Sequence, residues 1–192
     1  MRCRTGIRLG VPLLGITLIL GLGSLGGQPA PSGYTALKGQ MKVMEAVIDE
    51  TLAQQFAPPF GLLEKTKGAY VPDFGLVFGL EVNLYPLRAP NPFDERPLTA
   101  AELEKGRQTT QKRIETVRKS LPRLLADHAS CLRDLNQDQS MAVVVHLFHV
   151  ETELEPLPTQ VVVEARKADL DQYWEKKLSY EELVGKMKIL EL

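Results

Sequence analysis

Cysteine is almost absent from this chain, with Cys3 and Cys131 alone among 192 residues. This scarcity excludes a disulfide framework, and Cys131 has no intrachain partner if the first segment is removed. Basic residues are not in excess either, since 23 Lys and Arg stand against 24 Asp and Glu without a basic cluster. We therefore do not expect nucleic acid as a partner, because phosphate binding needs a clustered basic face.

Histidine is also scarce, and the three histidines build no strong catalytic or metal motif. On a regular strand His146 and His149 point to opposite faces, whereas His149 and Glu151 share one. That pair leaves a two-ligand metal site open as an alternative, although zinc needs at least three protein ligands. Cys131 follows His128 by one helical turn, but it falls on an apolar stripe and is expected to pack as a small hydrophobe. We expect no metal and no cofactor.

The first 26 residues are basic and then apolar. Arg2, Arg4 and Arg8 precede an uncharged run over residues 9–25, and the segment contains no acid. This pattern, with small residues at its end, is typical of a secretory signal peptide. The run is short for a membrane span, which needs roughly twenty residues, but a retained N-terminal anchor is the alternative. We predict a protein exported to the periplasm or the cell exterior that meets the membrane only through this segment if it is uncleaved.

The rest of the chain is predicted to be a flexible tether, residues 27–34, and a single domain, residues 35–192. Without residues 1–26 the chain has 20 basic and 24 acidic side chains, a net charge of −4. A domain of this length buries about two thirds of its unfolded surface and needs no covalent staple.

Hydrophobic periodicity predicts an α+β domain. Helices are expected at residues 35–56, 99–119 and 120–135, around 171–176 and from 179 onward; strands are expected at 68–71, 76–85, 141–150 and 161–166. Capping boxes, Thr99 with Glu102 and Ser179 with Glu182, begin two of the helices. The expected fold is an antiparallel sheet of about four strands in two hairpins packed against helices, in the order αββααββα.

The first hairpin is the best-defined local structure. From Leu76 to Tyr85 apolar side chains alternate with others, which is the period of a strand with one buried face. Pro72 presets the first turn torsion, Asp73 bonds forward to the backbone, and Gly75 supplies the positive torsion that closes the loop.

Four polar residues are expected on the outer sheet face: Glu81, Asn83, Glu164 and Arg166. A carboxylate pair, Glu81 with Glu164, is the candidate for acid–base catalysis. However, an antiparallel sheet commonly leaves one face solvated and charged, and no nucleophile or phosphate-binding loop accompanies the pair. We expect these acids to be exposed and paired with nearby cations such as Arg166.

The hairpin also carries a resemblance. The segments Tyr70-Val-Pro-Asp-Phe-Gly-Leu-Val-Phe78 and Glu81-Val-Asn-Leu84 resemble a hairpin of uncharacterised exported bacterial proteins. In those proteins an apolar helix precedes the hairpin, and an Asp-Leu-x-x-Tyr segment and a Ser-aromatic-Glu-Glu helix end the chain. Here the corresponding segments begin at Asp169 and Ser179. The likeness covers about half of the chain after the signal, implies a bacterial exported domain, and supplies no catalytic residues.

Three functional hypotheses follow. The first is a non-enzymatic binding or assembly module of the cell envelope, whose partner is another envelope protein or a second copy. The second is an envelope hydrolase that uses Glu81 and Glu164. The third is a helix-mediated homo-oligomer, suggested by the long helical stretch 99–135.

Overall fold

The computed structural model describes residues 33–56, 61–85, 99–148 and 157–192. Within these ranges the chain is α+β, as predicted, with four α-helices and five strands. The elements are α1 (Tyr34–Gln55), β1 (Gly61–Val71), β2 (Gly75–Asn83), α2 (Ala100–His128), β3 (Ser140–Phe148), β4 (Gln160–Arg166), α3 (Lys167–Trp174), α4 (Tyr180–Lys186) and β5 (Lys188–Glu191).

The strands lie side by side in chain order, from β1 at one edge to β5 at the other. Each neighbouring pair is antiparallel except β2 and β3, which run parallel. A parallel pair needs a long crossover connection, and α2 lies in that connection. The prediction of four antiparallel strands is therefore wrong in two respects: the sheet is mixed, and it has a fifth strand. With only four residues, β5 is too short to show a clear alternation in the sequence.

Residues 100–128 form one helix, not the two that were predicted on either side of Ser120. Pro122 lies inside α2, where a proline costs about 3 kcal/mol because it removes a backbone hydrogen bond. Leu121, Leu124 and Leu125 are buried on the same stretch. Each contributes roughly 1.5–3 kcal/mol of burial, so packing on the sheet outweighs the proline and the helix continues. The element order is consequently αββαββααβ.

The hydrophobic core lies on one face of the sheet, where the helices pack. Alternate residues of the three central strands point into it, and these are Leu76, Phe78, Leu80 and Val82 from β2, Met141, Val143, Val145 and Leu147 from β3, and Val161, Val163 and Ala165 from β4. The same cluster includes Met44 and Ile48 of α1, Leu170 of α3 and Leu183 of α4. The opposite face of the sheet carries none of the described helices.

The turn between β1 and β2 has the positive torsion predicted at Gly75, but the forward hydrogen bond predicted for the Asp73 side chain is not found in the described chain. Asp73 has φ 63° and Gly75 has φ 126°, both positive. The backbone at Gly75 also lies against β3, since a Cβ placed there would be 2.1 Å from the carbonyl oxygen of Ser140. Only glycine fits a site that is both left-handed and this crowded.

A buried carboxylate, Asp169, joins the C-terminal helices. Its side chain accepts hydrogen bonds from Lys186 of α4 at 2.9 Å and from Arg166 at 3.2 Å. Burial by itself raises the pKa of Asp169, but the hydrogen bonds and charges of these two cations outweigh it and hold the pKa below its ordinary value. The helical turn predicted around residues 171–176 is part of a short helix, α3, that begins four residues earlier. The ion pair between Asp169 and Lys186 joins this helix to α4.

Three predicted segments lie outside the described residues: the signal or anchor at 1–26, most of the tether, and the last two residues of the strand predicted at 141–150. In the described part of the chain, no helix has the length and apolarity needed to cross a membrane.

Candidate functional site

The helix-free side of the sheet, called here the open face, is the candidate functional site. The pairing register assigns its side chains strand by strand. They are Lys67 and Ala69 on β1, Val77, Gly79 and Glu81 on β2, Ala142, Val144 and His146 on β3, Val162 and Glu164 on β4, and Lys188 and Leu190 on β5. These residues alternate with the core residues, so the strand period alone places them on this face.

The centre of the open face is apolar. One row of paired residues crosses the sheet from Gly79 through Val144 and Val162 to Leu190. The next row places Val77 beside Ala142. Leu190 is 49% exposed, whereas Ala142 is only 6% exposed. Val77, Val144 and Val162 are half-buried. The face therefore has an apolar strip, Val77, Ala142, Val144, Val162 and Leu190, that no described helix covers.

Charged side chains surround the apolar strip. Glu164 lies beside Lys188, with 3.1 Å between Oε1 and Nζ, and Lys67 lies 3.6 Å from Glu64. Glu81 is paired in register with Glu64 and with His146, and it has no hydrogen bond or ion pair in the described residues. An apolar centre with a polar rim is the usual composition of a protein-binding surface.

The two candidate catalytic acids share this face but do not meet. Glu81 pairs with His146 of β3, whereas Glu164 pairs with Ala142, four residues away on the same strand. Two strand spacings and four residues of rise separate their Cα atoms by about 16 Å. Paired carboxylates that act on one bond lie about 5–10 Å apart. Moreover, Glu164 bonds to Lys188, not to Arg166, whose partner is Asp169.

The other predicted site residues give no catalytic or metal centre in the described chain. His149 and Glu151, the alternative metal ligands, lie outside the described residues. Cys131 is half-buried against the core, and burial raises the pKa of its thiol, which disfavours the reactive thiolate. Among the residues that the structure describes, no cluster of three or more His, Cys, Asp or Glu side chains is arranged to hold a metal ion.

The sheet edges are less available than the open face. On β1, the N–H of Thr66 donates to Asp49 Oδ1 at 2.9 Å, and the N–H of Gly68 donates to Glu45 Oε1 at 2.8 Å. Carboxylates of α1 thus bind N–H groups of this edge strand that an added strand would need. At the other edge, β5 has four residues. Strand addition is therefore disfavoured relative to binding on the open face.

The helical stretch 99–135 does not leave an apolar surface for self-association. Its stripe, including Ile114, Val117 and Leu121 on α2, is buried in the core of the same chain. This stretch instead lies in the crossover connection between the parallel strands β2 and β3.

The apolar strip was not predicted from the sequence, because only the polar residues of the outer face were identified there. The signal was present in two short apolar runs, residues 142–145 and 161–163. A strand that is apolar at consecutive positions is apolar on both faces. No protein-family model matches the chain, and comparison with the curated proteins and with the solved structures finds no match.

Proposed function

We propose that this chain is an exported, non-enzymatic module of the bacterial cell envelope that binds another protein through the open face of its sheet. The observation that carries this proposal is the apolar strip on the helix-free face. Export is supported by the basic and apolar segment at residues 1–26, and a bacterial envelope by the resemblance of the hairpin.

The dimensions of the face indicate what kind of binding it supports. Five strands span about 19 Å, and the nine residues of β2 and of β3 extend over about 26 Å, so the whole sheet face measures at most about 500 Å². A standard interface buries about 800 Å² on each partner. The open face is smaller, so it suits a partner that binds reversibly and also contacts the charged rim. Glu81, which lacks a cationic partner in the described chain, favours a partner with a Lys or Arg at that position.

Site-specific photocrosslinking in the native host tests the proposal. A photoreactive residue is placed at Val144 or at Val162 on the open face, and at Lys112, an exposed residue of α2, as the matched control. We expect one discrete adduct from both open-face positions and none from Lys112. The adduct mass distinguishes an envelope protein from a second copy of this chain. Absence of an adduct from the open face, or the same adduct from Lys112, would contradict the proposal.

The Val144→Glu variant makes the test specific to the apolar strip. A charge at this outward position leaves the core unchanged, so the melting temperature is expected to stay close to that of the wild type. The adduct from position 162 is expected to disappear, because the partner would have to bury an unpaired carboxylate. Export is tested separately by N-terminal sequencing, which is expected to find a mature chain that begins between Gly26 and Pro31.

A further inference from the structure

A second surface feature lies away from the open face, beside the loop that joins α3 and α4. It is a groove of about 580 Å³, and its walls include Asp127, Tyr173, Trp174, Lys176, Lys177 and Glu182. This volume is within the range that accommodates a small organic molecule, about 300–1,000 Å³. Trp174 is the only tryptophan of the chain and is 47% exposed.

Most charges in the groove already have partners. Lys177 lies 2.6 Å from Glu175, and Asp127 accepts a hydrogen bond from Arg123 at 2.8 Å. Glu182 accepts hydrogen bonds from the backbone N–H and hydroxyl of Ser179, which lower the pKa of its carboxyl. By contrast, the ammonium of Lys176 and the indole N–H of Trp174 have no partner in the described chain. Lys176 is therefore the positive charge in the groove wall that has no ion-pair partner in the described chain, whereas the Glu182 carboxylate is bound by the neutral groups of Ser179.

The backbone at Lys176 is unusual. Its φ is 60°, and the N–H groups of Lys176 and Lys177 bond to the carbonyls of Tyr173 and Gln172 at 2.9 and 2.8 Å. This is a Schellman motif, whose left-handed position is normally occupied by glycine because other L-residues are strained there. A lysine at this position weakens the helix end, while it places a free cation in the wall of the groove. Such departures from local preference are typical of functional positions.

We propose that this groove binds an organic carboxylate, with the anion at Lys176 and an apolar or aromatic body against the Trp174 ring. The ammonium and the indole N–H supply two donors for the carboxylate. The indole face supplies an apolar contact for the rest of the ligand. A free small acid and the C-terminal residue of a peptide share this chemistry.

Titration of the whole exported chain with 3-phenylpropionate tests the proposal, and 3-phenylpropionamide is the neutral control of the same shape. Trp174 reports binding through its fluorescence, since the chain has no other tryptophan. We expect saturable binding of the acid that is at least about fivefold tighter than that of the amide, the effect of one partly exposed charge pair. A short peptide ending in Phe, with a free or an amidated C-terminus, distinguishes a peptide source from a small-molecule source.

Two lysine variants separate binding from folding. Lys176→Gly is expected to weaken acid binding about fivefold, while the melting temperature rises by about 2–4 °C as the left-handed strain is removed. Lys112→Gln, the matched control, removes one exposed positive charge of α2 outside the groove and is expected to change the affinity less than about twofold. No saturable binding of either acid at about 10 mM, equal affinity for acid and amide, or unchanged affinity in Lys176→Gly would overturn the proposal.

Discussion

Gly75 is the position where one added methyl group is expected to destabilise the fold most clearly. Its φ of 126° strains any other L-residue, which costs roughly 1–3 kcal/mol. In Gly75→Ala the new Cβ would also lie 2.1 Å from the carbonyl oxygen of Ser140, so the two strands must separate. That movement weakens the 2.7 Å hydrogen bond from the Ser140 N–H to the Phe74 carbonyl, worth about 1 kcal/mol. The expected loss of unfolding free energy is therefore about 2–4 kcal/mol.

Thermal unfolding followed by circular dichroism measures this loss. For a domain of this size, about 2–4 kcal/mol lowers the melting temperature by roughly 5–15 °C. Gly79→Ala is the matched control on the same strand, because its Cβ would meet no atom within 4 Å and its φ is not positive. We expect that control to melt within about 2 °C of the wild type. A similar small change in Gly75→Ala, or an equal loss in both variants, would refute this reasoning.

Three further predictions concern stability. Gly39→Ala on α1 is expected to stabilise the domain by about 0.5–1 kcal/mol, since the site is open and alanine favours the helix; a lower melting temperature would contradict this. Asp49→Ala is expected to cost about 1–3 kcal/mol in denaturant unfolding, because the N–H and hydroxyl of Thr66 lose their acceptor; Glu50→Ala, at an exposed neighbour, is the control. Asp169 has a lowered pKa, so its stabilising charge is present above the unfolded pKa of about 3.9 and is lost as the pH falls through the folded value. The stability advantage of the wild type over Asp169→Asn is therefore expected to shrink below about pH 4. A constant difference in unfolding free energy from pH 7 to pH 2 would show that ionisation of Asp169 does not stabilise the fold.

Much of the local structure was predictable, because it depends on residues a few positions apart. The alternation from Leu76 to Val82 places the predicted side of β2 in the core. The turn at Gly75 and the capping boxes of α2 and α4 are present as predicted. In each case the interaction joins neighbours in the chain, so the sequence contains both partners within one short window.

The candidate site was predictable only in part. The sequence placed Glu81 and Glu164 on the same face, and the structure has them there. It did not show that four residues of register separate them, because register between β2 and β4 depends on how both strands pair with β3. The apolar strip depends on the same register, since Val144 and Val162 become neighbours only when β3 and β4 pair.

By itself, the sequence determined the α+β class, the first hairpin with its turn, and the helix beginnings, because these follow from periodicity and capping within single segments. Tertiary structure decided the parallel pairing of β2 with β3, the continuity of α2 through Pro122 and the existence of β5. Each of these arises where contacts between distant segments outweigh local preference: the buried leucines of α2 offset its proline, and β5 is held by pairing with β4. Lys176 follows the same rule, since a left-handed lysine is fixed by the end of α3 and not by its own propensity.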